Sequence, residues 1–126
     1  MIRKNTNQSQ VSLFICDFSI SIIEGDEHCI EMRKFQAGSK GYLAPEVILG
    51  NVYDEKCDIF SFGCLAYLLL SGRMLFEGRS NQEISILTED NDYIERTIQK
   101  LVAPKGLKNL LKRLLEVDSK KRISAR

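Results

Sequence analysis

The stretch DIFSFGCLAYLLLSGR, residues 58–73, decides the fold because it is almost continuously apolar from residue 59 to residue 70. Such a run is too short to span a membrane, which takes about 20 residues. A helix that is apolar nearly all round is instead typical of a buried core. We therefore expect a central helix from Asp54 or Glu55 to Leu70, ended by Gly72, with no side that faces water.

Outward from this stretch, composition indicates one soluble domain. The chain has 126 residues, 44% of them hydrophobic and 28% charged, and contains no linker that would divide it. Its net charge is +1, which gives no electrostatic reason to bind nucleic acid or an anionic membrane. We expect neither as a partner.

The cysteines point to a reducing compartment. They stand at positions 16, 29, 57 and 64 without a CxxC pair, and the single histidine is His28, so neither a disulfide framework nor a zinc site is indicated. The first ten residues, MIRKNTNQSQ, lack the apolar core of a secretory signal. These features favour a cytoplasmic protein.

Short elements surround the central helix. Apolar runs at residues 1–2 and 11–16 flank the polar connection KNTNQSQ, which predicts a β-hairpin, and residues 24–40 form a long polar loop. Pro45 predicts the start of a short helix that runs to Leu49. Ser80 and Glu83 fit a capping box that opens a helix to about Thr88. A last amphipathic helix follows from leucines with helical spacing, at positions 107, 110, 111, 114 and 115.

Four motifs in register now carry a resemblance. CDFS at residues 16–19 follows a predicted strand, and GSKGYLAPE at 38–46, DIFSFG at 58–63 and LLEVDSKKRISA at 114–125 come after it. Their order and spacing are similar to those of the C-terminal lobe of eukaryotic serine/threonine protein kinases, and they most resemble the calcium/calmodulin-kinase-like group. The resemblance covers residues 1–126 as a partial, N-terminally truncated kinase domain with a magnesium-binding strand and loop, an activation segment and C-lobe helices. It implies the α+β protein kinase-like fold, here mainly the α-helical C-lobe with a short β-hairpin and activation loop.

The resemblance assigns Asp17 to the carboxylate that holds Mg²⁺ on the phosphates of ATP. A carboxylate oxygen is a hard ligand suited to a hard cation. The alternative is an aspartate at a strand end that caps a turn. Ser19 stands where the family has glycine, and this change restricts the backbone without removing the carboxylate.

The activation loop and substrate platform come next. No Ser, Thr or Tyr lies between residues 24 and 37, so we expect no phosphorylation switch in this loop. By the resemblance, Gly38, Ser39, Gly41 and Tyr42 receive the protein substrate, and the Ser39 hydroxyl replaces the usual threonine. The alternative is a glycine-rich turn without a ligand.

Three further residues are implied to be structural. Glu46 and Arg122 match an ion pair that ties the loop end to the late helices, and loss of one partner would cost about 3–5 kcal/mol. Asp58 matches a carboxylate that anchors the catalytic loop, although an acid in a first helical turn is also favoured by the helix dipole.

The motifs that this chain lacks limit the expected activity. It contains no GxGxxG, no HRD and no catalytic Asn, so no catalytic residue is assigned to it. Met1 would fall only a few residues after the expected catalytic Asn. This position suggests an internal methionine taken as a start, or a truncated gene. In the complete domain we expect ATP and Mg²⁺ as cofactors and a protein Ser/Thr substrate. The chain alone should bind neither cofactor tightly and should not catalyse.

Two rival functions stay open, besides an unrelated helical domain. The helices that should cover the central helix precede the catalytic loop and are absent from this chain, so the chain alone should expose a large apolar face. That face would suit a non-catalytic binding module or decoy for kinase substrates and regulators, which would bind a regulator or a partner helix. Ser19 would also fit a pseudokinase.

Overall fold

The computed structural model describes residues 2–4, 11–23 and 36–125 of the chain. Within these residues the elements, in chain order, are β1 (Ile2–Lys4), β2 (Val11–Leu13), α1 (Pro45–Ile48), α2 (Lys56–Ser71), α3 (Asn81–Glu89), α4 (Asn91–Gln99) and α5 (Lys105–Leu114). Helix α2 packs on α5, which also contacts α4, while α3 contacts both α1 and α4. None of the described helices is long and apolar enough to cross a membrane.

Strands β1 and β2 pair antiparallel, with Ile2 opposite Leu13. The sequence predicts a second strand that extends to Cys16, but β2 ends at Leu13. Phe14 and Ile15 are both exposed. The predicted turn between the strands falls on residues 5–10, outside the described residues, so the hairpin stays a prediction. Most of the predicted activation loop, residues 24–35, also lies outside them.

Helix α2 follows the prediction closely at its end. Gly72 adopts the left-handed conformation with φ 71°, and its N–H donates to the Leu68 carbonyl at 2.8 Å. Glycine has no Cβ to clash in this conformation, so it ends a helix at little cost. The predicted stop is therefore confirmed.

The burial of α2 corrects one expectation and agrees with another. Phe60 and Cys64 are buried, but Phe62 and Leu69 on the other side are 56% and 78% exposed. The expectation that no side of this helix faces water is wrong for the described residues, because no described element covers that side. The exposed apolar face expected from the same sequence is present.

Helix caps explain the next two elements. The Ser80 hydroxyl accepts from the Glu83 N–H at 3.1 Å at the start of α3, as the capping box predicts. Helix α4 is not among the predicted elements. Its cap is Asp90, whose Oδ1 accepts from the Tyr93 N–H at 2.9 Å. The apolar spacing from Ile94 to Ile98 and Leu101 would have predicted it.

The core lies where α2, α4 and α5 meet the segment after α2. Phe60 and Phe76 stack with ring centroids 5.9 Å apart. The buried hydrophobic residues of this cluster are Ala44, Val47, Phe60, Cys64, Tyr67, Leu75, Phe76, Ile94, Ile98, Leu111 and Leu115. This core supports α2 from one side and fixes the position of the segment that precedes α1.

Candidate functional site

An open cavity of about 650 Å³ lies between the segment after β2, the segment before α1 and the first turns of α2. Five of the residues that the sequence predicts for a site line it: Asp17, Gly38, Ser39, Tyr42 and Asp58. They come from three separate stretches of the chain. The other three predicted residues, Gly41, Glu46 and Arg122, are buried and do not line the cavity.

Asp17 sits in an uncommon backbone conformation. Its φ is 67°, a left-handed value that Asp tolerates better than most residues because its short side chain can bond locally. The Ser19 hydroxyl donates to Asp17 Oδ1 at 2.8 Å. Ser19 itself is a central residue of a turn in which the Ser21 N–H donates to the Phe18 carbonyl at 3.1 Å.

The surroundings of Asp17 decide what metal chemistry the described residues can support. No group of three or more His, Cys, Asp or Glu side chains in the described ranges could hold a metal ion by itself. Mg²⁺ in phosphate-binding sites, however, takes one or two protein carboxylates and fills its other positions with phosphate oxygens and water. Asp17 is exposed and lines an open cavity, so it fits the role of one such carboxylate. Bound there, Mg²⁺ would neutralise phosphate charge.

The predicted substrate platform is a tight turn held against α2. The Tyr42 N–H donates to the Ser39 carbonyl at 3.2 Å. Gly41 is buried with φ 85°, and a Cβ on it would lie 2.7 Å from Met74 Cε. The Met74 methyl is the end of a flexible side chain and can move, so it is the left-handed φ that favours glycine here.

Ser61 is a residue of this site that the sequence reasoning missed. Its hydroxyl lies 2.8 Å from the Tyr42 carbonyl and 3.1 Å from the Cys57 carbonyl one helical turn earlier. Ser61 lines the cavity together with Tyr42. A serine inside an apolar helix is the signal that could have found it, since a hydroxyl there needs a carbonyl partner.

The charged residues that line the cavity are all acidic among the described ones: Asp17, Asp54, Glu55 and Asp58. Asp58 lies in the first turn of α2, where the helix dipole favours a carboxylate. Burial, together with the nearby carboxylates of Asp58, Glu46 and Asp54, raises the pKa of the Cys57 thiol to about 12. Cys57 therefore stays a protonated thiol at neutral pH and is no candidate nucleophile.

Glu46 and Arg122 meet in a buried ion pair. Arg122 NH1 donates to Glu46 Oε1 at 2.6 Å and NH2 donates to Oε2 at 3.0 Å. The guanidinium also lies 4.9 Å from the ring centre of Phe60. Its three other hydrogen bonds go to backbone carbonyls, those of Lys56, Glu116 and Val117. All five N–H donors of the arginine are thus used.

Comparison with known proteins connects this geometry to a family. The family model described as "Protein kinase domain" matches residues 1–126. Calcium-dependent protein kinase 4 of Plasmodium falciparum is 36% identical over 127 residues, which cover 100% of this chain and 23% of that protein. Serine/threonine-protein kinase cds1 of Schizosaccharomyces pombe is 34% identical over 120 residues, or 89% of this chain and 25% of that protein.

A third relative, serine/threonine-protein kinase 33 of Mus musculus, is 29% identical over 123 residues, which cover 97% of this chain and 25% of that protein. The chain thus spans about a quarter of the length of each of these curated relatives. Since the family match extends over every residue and the similar proteins are serine/threonine kinases, the chain belongs to the protein kinase family.

Proposed function

We propose that this chain forms the magnesium-binding strand and loop, the activation segment and the C-lobe helices of a serine/threonine kinase domain. Protein kinases use ATP and Mg²⁺ to phosphorylate proteins. In the complete domain Asp17 would hold Mg²⁺ against ATP phosphates, and Gly38, Ser39, Gly41 and Tyr42 would receive the protein substrate. The short β-hairpin and the activation loop of the predicted fold belong to this proposal, as does a cytoplasmic location.

One observation carries the proposal: Asp17 lines a single cavity together with Ser39 and Tyr42. Asp17 stands more than twenty residues before the other two in the sequence, so only the fold brings them together. A carboxylate suited to Mg²⁺ beside a platform for a polypeptide is the arrangement that phosphoryl transfer to protein requires, because the two reactants must meet in one orientation.

The ion pair between Glu46 and Arg122 holds the segment that follows the platform. Glu46 belongs to α1, directly after the platform, and Arg122 fixes it to the start of α2. We infer that Glu46 and Arg122 act on the reaction only by holding this geometry. Asp58, at the edge of the cavity, would orient the backbone of the catalytic loop.

The first experiment is on the protein as cells make it. We would precipitate it with an antibody against residues 105–126, determine its mass and assay transfer of the ATP γ-phosphoryl group to Ser/Thr peptides. Asp17→Asn in the endogenous gene should abolish transfer. The matched control is Asp92→Asn, an exposed acid on α4 outside the cavity, which should leave transfer unchanged. Equal activity of the two variants would contradict the role of Asp17.

The 126-residue chain, purified alone, should neither transfer phosphate nor bind ATP tightly. It lacks the glycine-rich loop, the strand lysine and the catalytic Asp and Asn that the reaction requires. Phosphorylation of a peptide by the pure chain, unaffected by Asp17→Asn, would reveal a contaminant. Phosphorylation that Asp17→Asn abolishes would refute this part of the proposal.

The exposed side of α2 supports a second candidate, a non-catalytic module that binds a helix of a regulator. Phe62, Leu65 and Leu69 are exposed and spaced by three and four residues, the spacing at which helices pack side by side. Leu65→Glu should weaken capture of such a helical partner without unfolding the chain. Ile86→Glu, at an exposed position on α3, is the control. If the chain binds no helix, whether through the exposed side of α2 or through that of α3, this candidate is refuted.

A further inference from the structure

We propose that Ser19 is a positioning residue whose hydroxyl holds the Asp17 carboxylate in one orientation for the cation. The starting observation is the 2.8 Å bond from Ser19 Oγ to Asp17 Oδ1. Asp17 lines the cavity, whereas Ser19 does not. The hydroxyl therefore contacts the carboxylate from outside the cavity. A group in that position can support the carboxylate, whereas a ligand of the cation would lie inside the cavity. This inference rests on the proposed role of Asp17.

The backbone fixes the place from which the hydroxyl donates. Ser19 is the first central residue of the turn closed by the Ser21 N–H and the Phe18 carbonyl at 3.1 Å. The left-handed backbone of Asp17 lies immediately before that turn. A serine two residues after an aspartate can reach its carboxylate only when the backbone between them is bent. Here Asp17 has a left-handed φ and Phe18 opens the turn.

An exposed aspartate without such a partner would exchange among staggered rotamers. A hydroxyl that donates to a charged oxygen makes a bond stronger than one between neutral groups. One hydroxyl proton occupies one of about four lone-pair sites on a carboxylate, so the capacity to bind a cation remains. The bond thus restricts the orientation of Asp17 without consuming its ligand function.

Orientation matters for Mg²⁺ in particular, since this ion demands near-ideal geometry. Carboxylates that bind metals are commonly held by hydrogen bonds from neighbouring groups, and loss of such a neighbour weakens metal binding. Glycine at position 19 could give no side-chain bond. The serine therefore adds a restraint on Asp17 that a glycine in the same turn would lack.

The first test is the side-chain conformation of Asp17 in the full 126-residue chain, measured by NMR couplings that report χ1. One rotamer should dominate in the wild type and in Ser19→Thr, which keeps the hydroxyl. Ser19→Ala should average the rotamers. Ser21→Ala removes a hydroxyl from the same turn and should behave as the wild type. Equal rotamer populations in wild type and Ser19→Ala would overturn the inference.

The second test uses Mn²⁺ as a paramagnetic probe, because line broadening detects even weak binding. Half-maximal broadening of the resonances around Asp17 should need about 3- to 10-fold more Mn²⁺ in Ser19→Ala, a smaller effect than is usual for buried supporting groups. Ser19→Thr should restore the wild-type midpoint. A merely structural serine would leave this midpoint unchanged.

Asp17→Asn separates the two proposals. If it abolishes the broadening while Ser19→Ala matches the wild type, Ser19 has no positioning role and the proposed function stands. If Asp17→Asn broadens as the wild type does, Asp17 is not a ligand and the metal role proposed for it fails. Loss of broadening in Asp17→Asn together with a raised midpoint in Ser19→Ala supports both.

Discussion

Replacement of Glu46 by alanine should be among the most damaging single changes in this chain. Glu46 is 9% exposed and its partner Arg122 is 2% exposed, so water reaches neither charge well when the other is removed. The substitution breaks two charge-assisted hydrogen bonds, at 2.6 and 3.0 Å. It leaves a buried guanidinium without its counter-ion.

The size of the effect follows from those bonds. Each hydrogen bond to a charged group contributes about 1.5–3 kcal/mol, and removal of one partner of a buried ion pair costs about 3–5 kcal/mol. Arg122 keeps its three carbonyl acceptors and the ring of Phe60, which favours the lower end of that range. We expect Glu46→Ala to lower the free energy of unfolding by about 3 kcal/mol. For a domain of this size that is roughly 10 °C in Tm.

Thermal and urea denaturation of the purified chain would measure this loss. The matched control is Glu95→Ala, which breaks the ion pair with Lys112 on the surface, where the two side chains are 58% and 30% exposed. That pair should contribute at most about 1 kcal/mol. A Tm for Glu46→Ala within 2–3 °C, or about 1 kcal/mol, of the control would refute the reasoning.

Three further predictions follow from single contacts. Gly72→Ala should destabilise the chain by about 1–2 kcal/mol because φ is 71° there. Gly106→Ala should instead stabilise it by about 0.5–1 kcal/mol, because this glycine lies inside α5 and no neighbour would meet the added methyl group. Urea denaturation of both variants would test these opposite signs. Ser61→Ala should speed amide exchange of the turn at Tyr42, measured by hydrogen–deuterium exchange, since the hydroxyl holds the carbonyl of that residue. Burial raises the pKa of the Cys64 thiol to about 12, so Cys64 should resist alkylation at pH 8 until the chain unfolds. The thiol of the unfolded chain ionises first, with a pKa of about 9. The contribution of Cys64 to stability should therefore be lost as pH rises from about 9 to 12.

Local physics made the helix ends predictable. The end of α2 at Gly72 and the capping box of α3 depend on one or two residues each, and such signals act over a single turn. Helix α5 was predictable because its leucines have helical spacing, and Leu111 and Leu114 are buried although Leu110 is 42% exposed. The same rule would have found α4, but its short length and the charged residues between its isoleucines made the pattern easy to miss.

The site was predictable only in part, because spacing along the chain does not measure distance in space. The motifs singled out Asp17 and Ser39, but residue order alone could not tell that they line one cavity. Ser61 was missed since its partner, the Tyr42 carbonyl, is a backbone atom that no sequence pattern marks. The bond between Ser19 and Asp17 was equally invisible, because it depends on the left-handed φ of Asp17, which no sequence pattern marks.

Stability and the geometry of the site depend on the same short stretch of α2. Arg122 binds the Lys56 carbonyl at the start of this helix and lies against Phe60, while Ser61 on the next turn holds the platform at Tyr42. Glu46, which follows the platform in α1, is paired with the same arginine. Loss of that pair should therefore loosen the segment that carries the platform, while the bond between Ser61 and the Tyr42 carbonyl remains. Glu46→Ala should raise amide exchange near Tyr42 by a larger factor than in the core of α5, a difference that a uniform loss of stability would not produce.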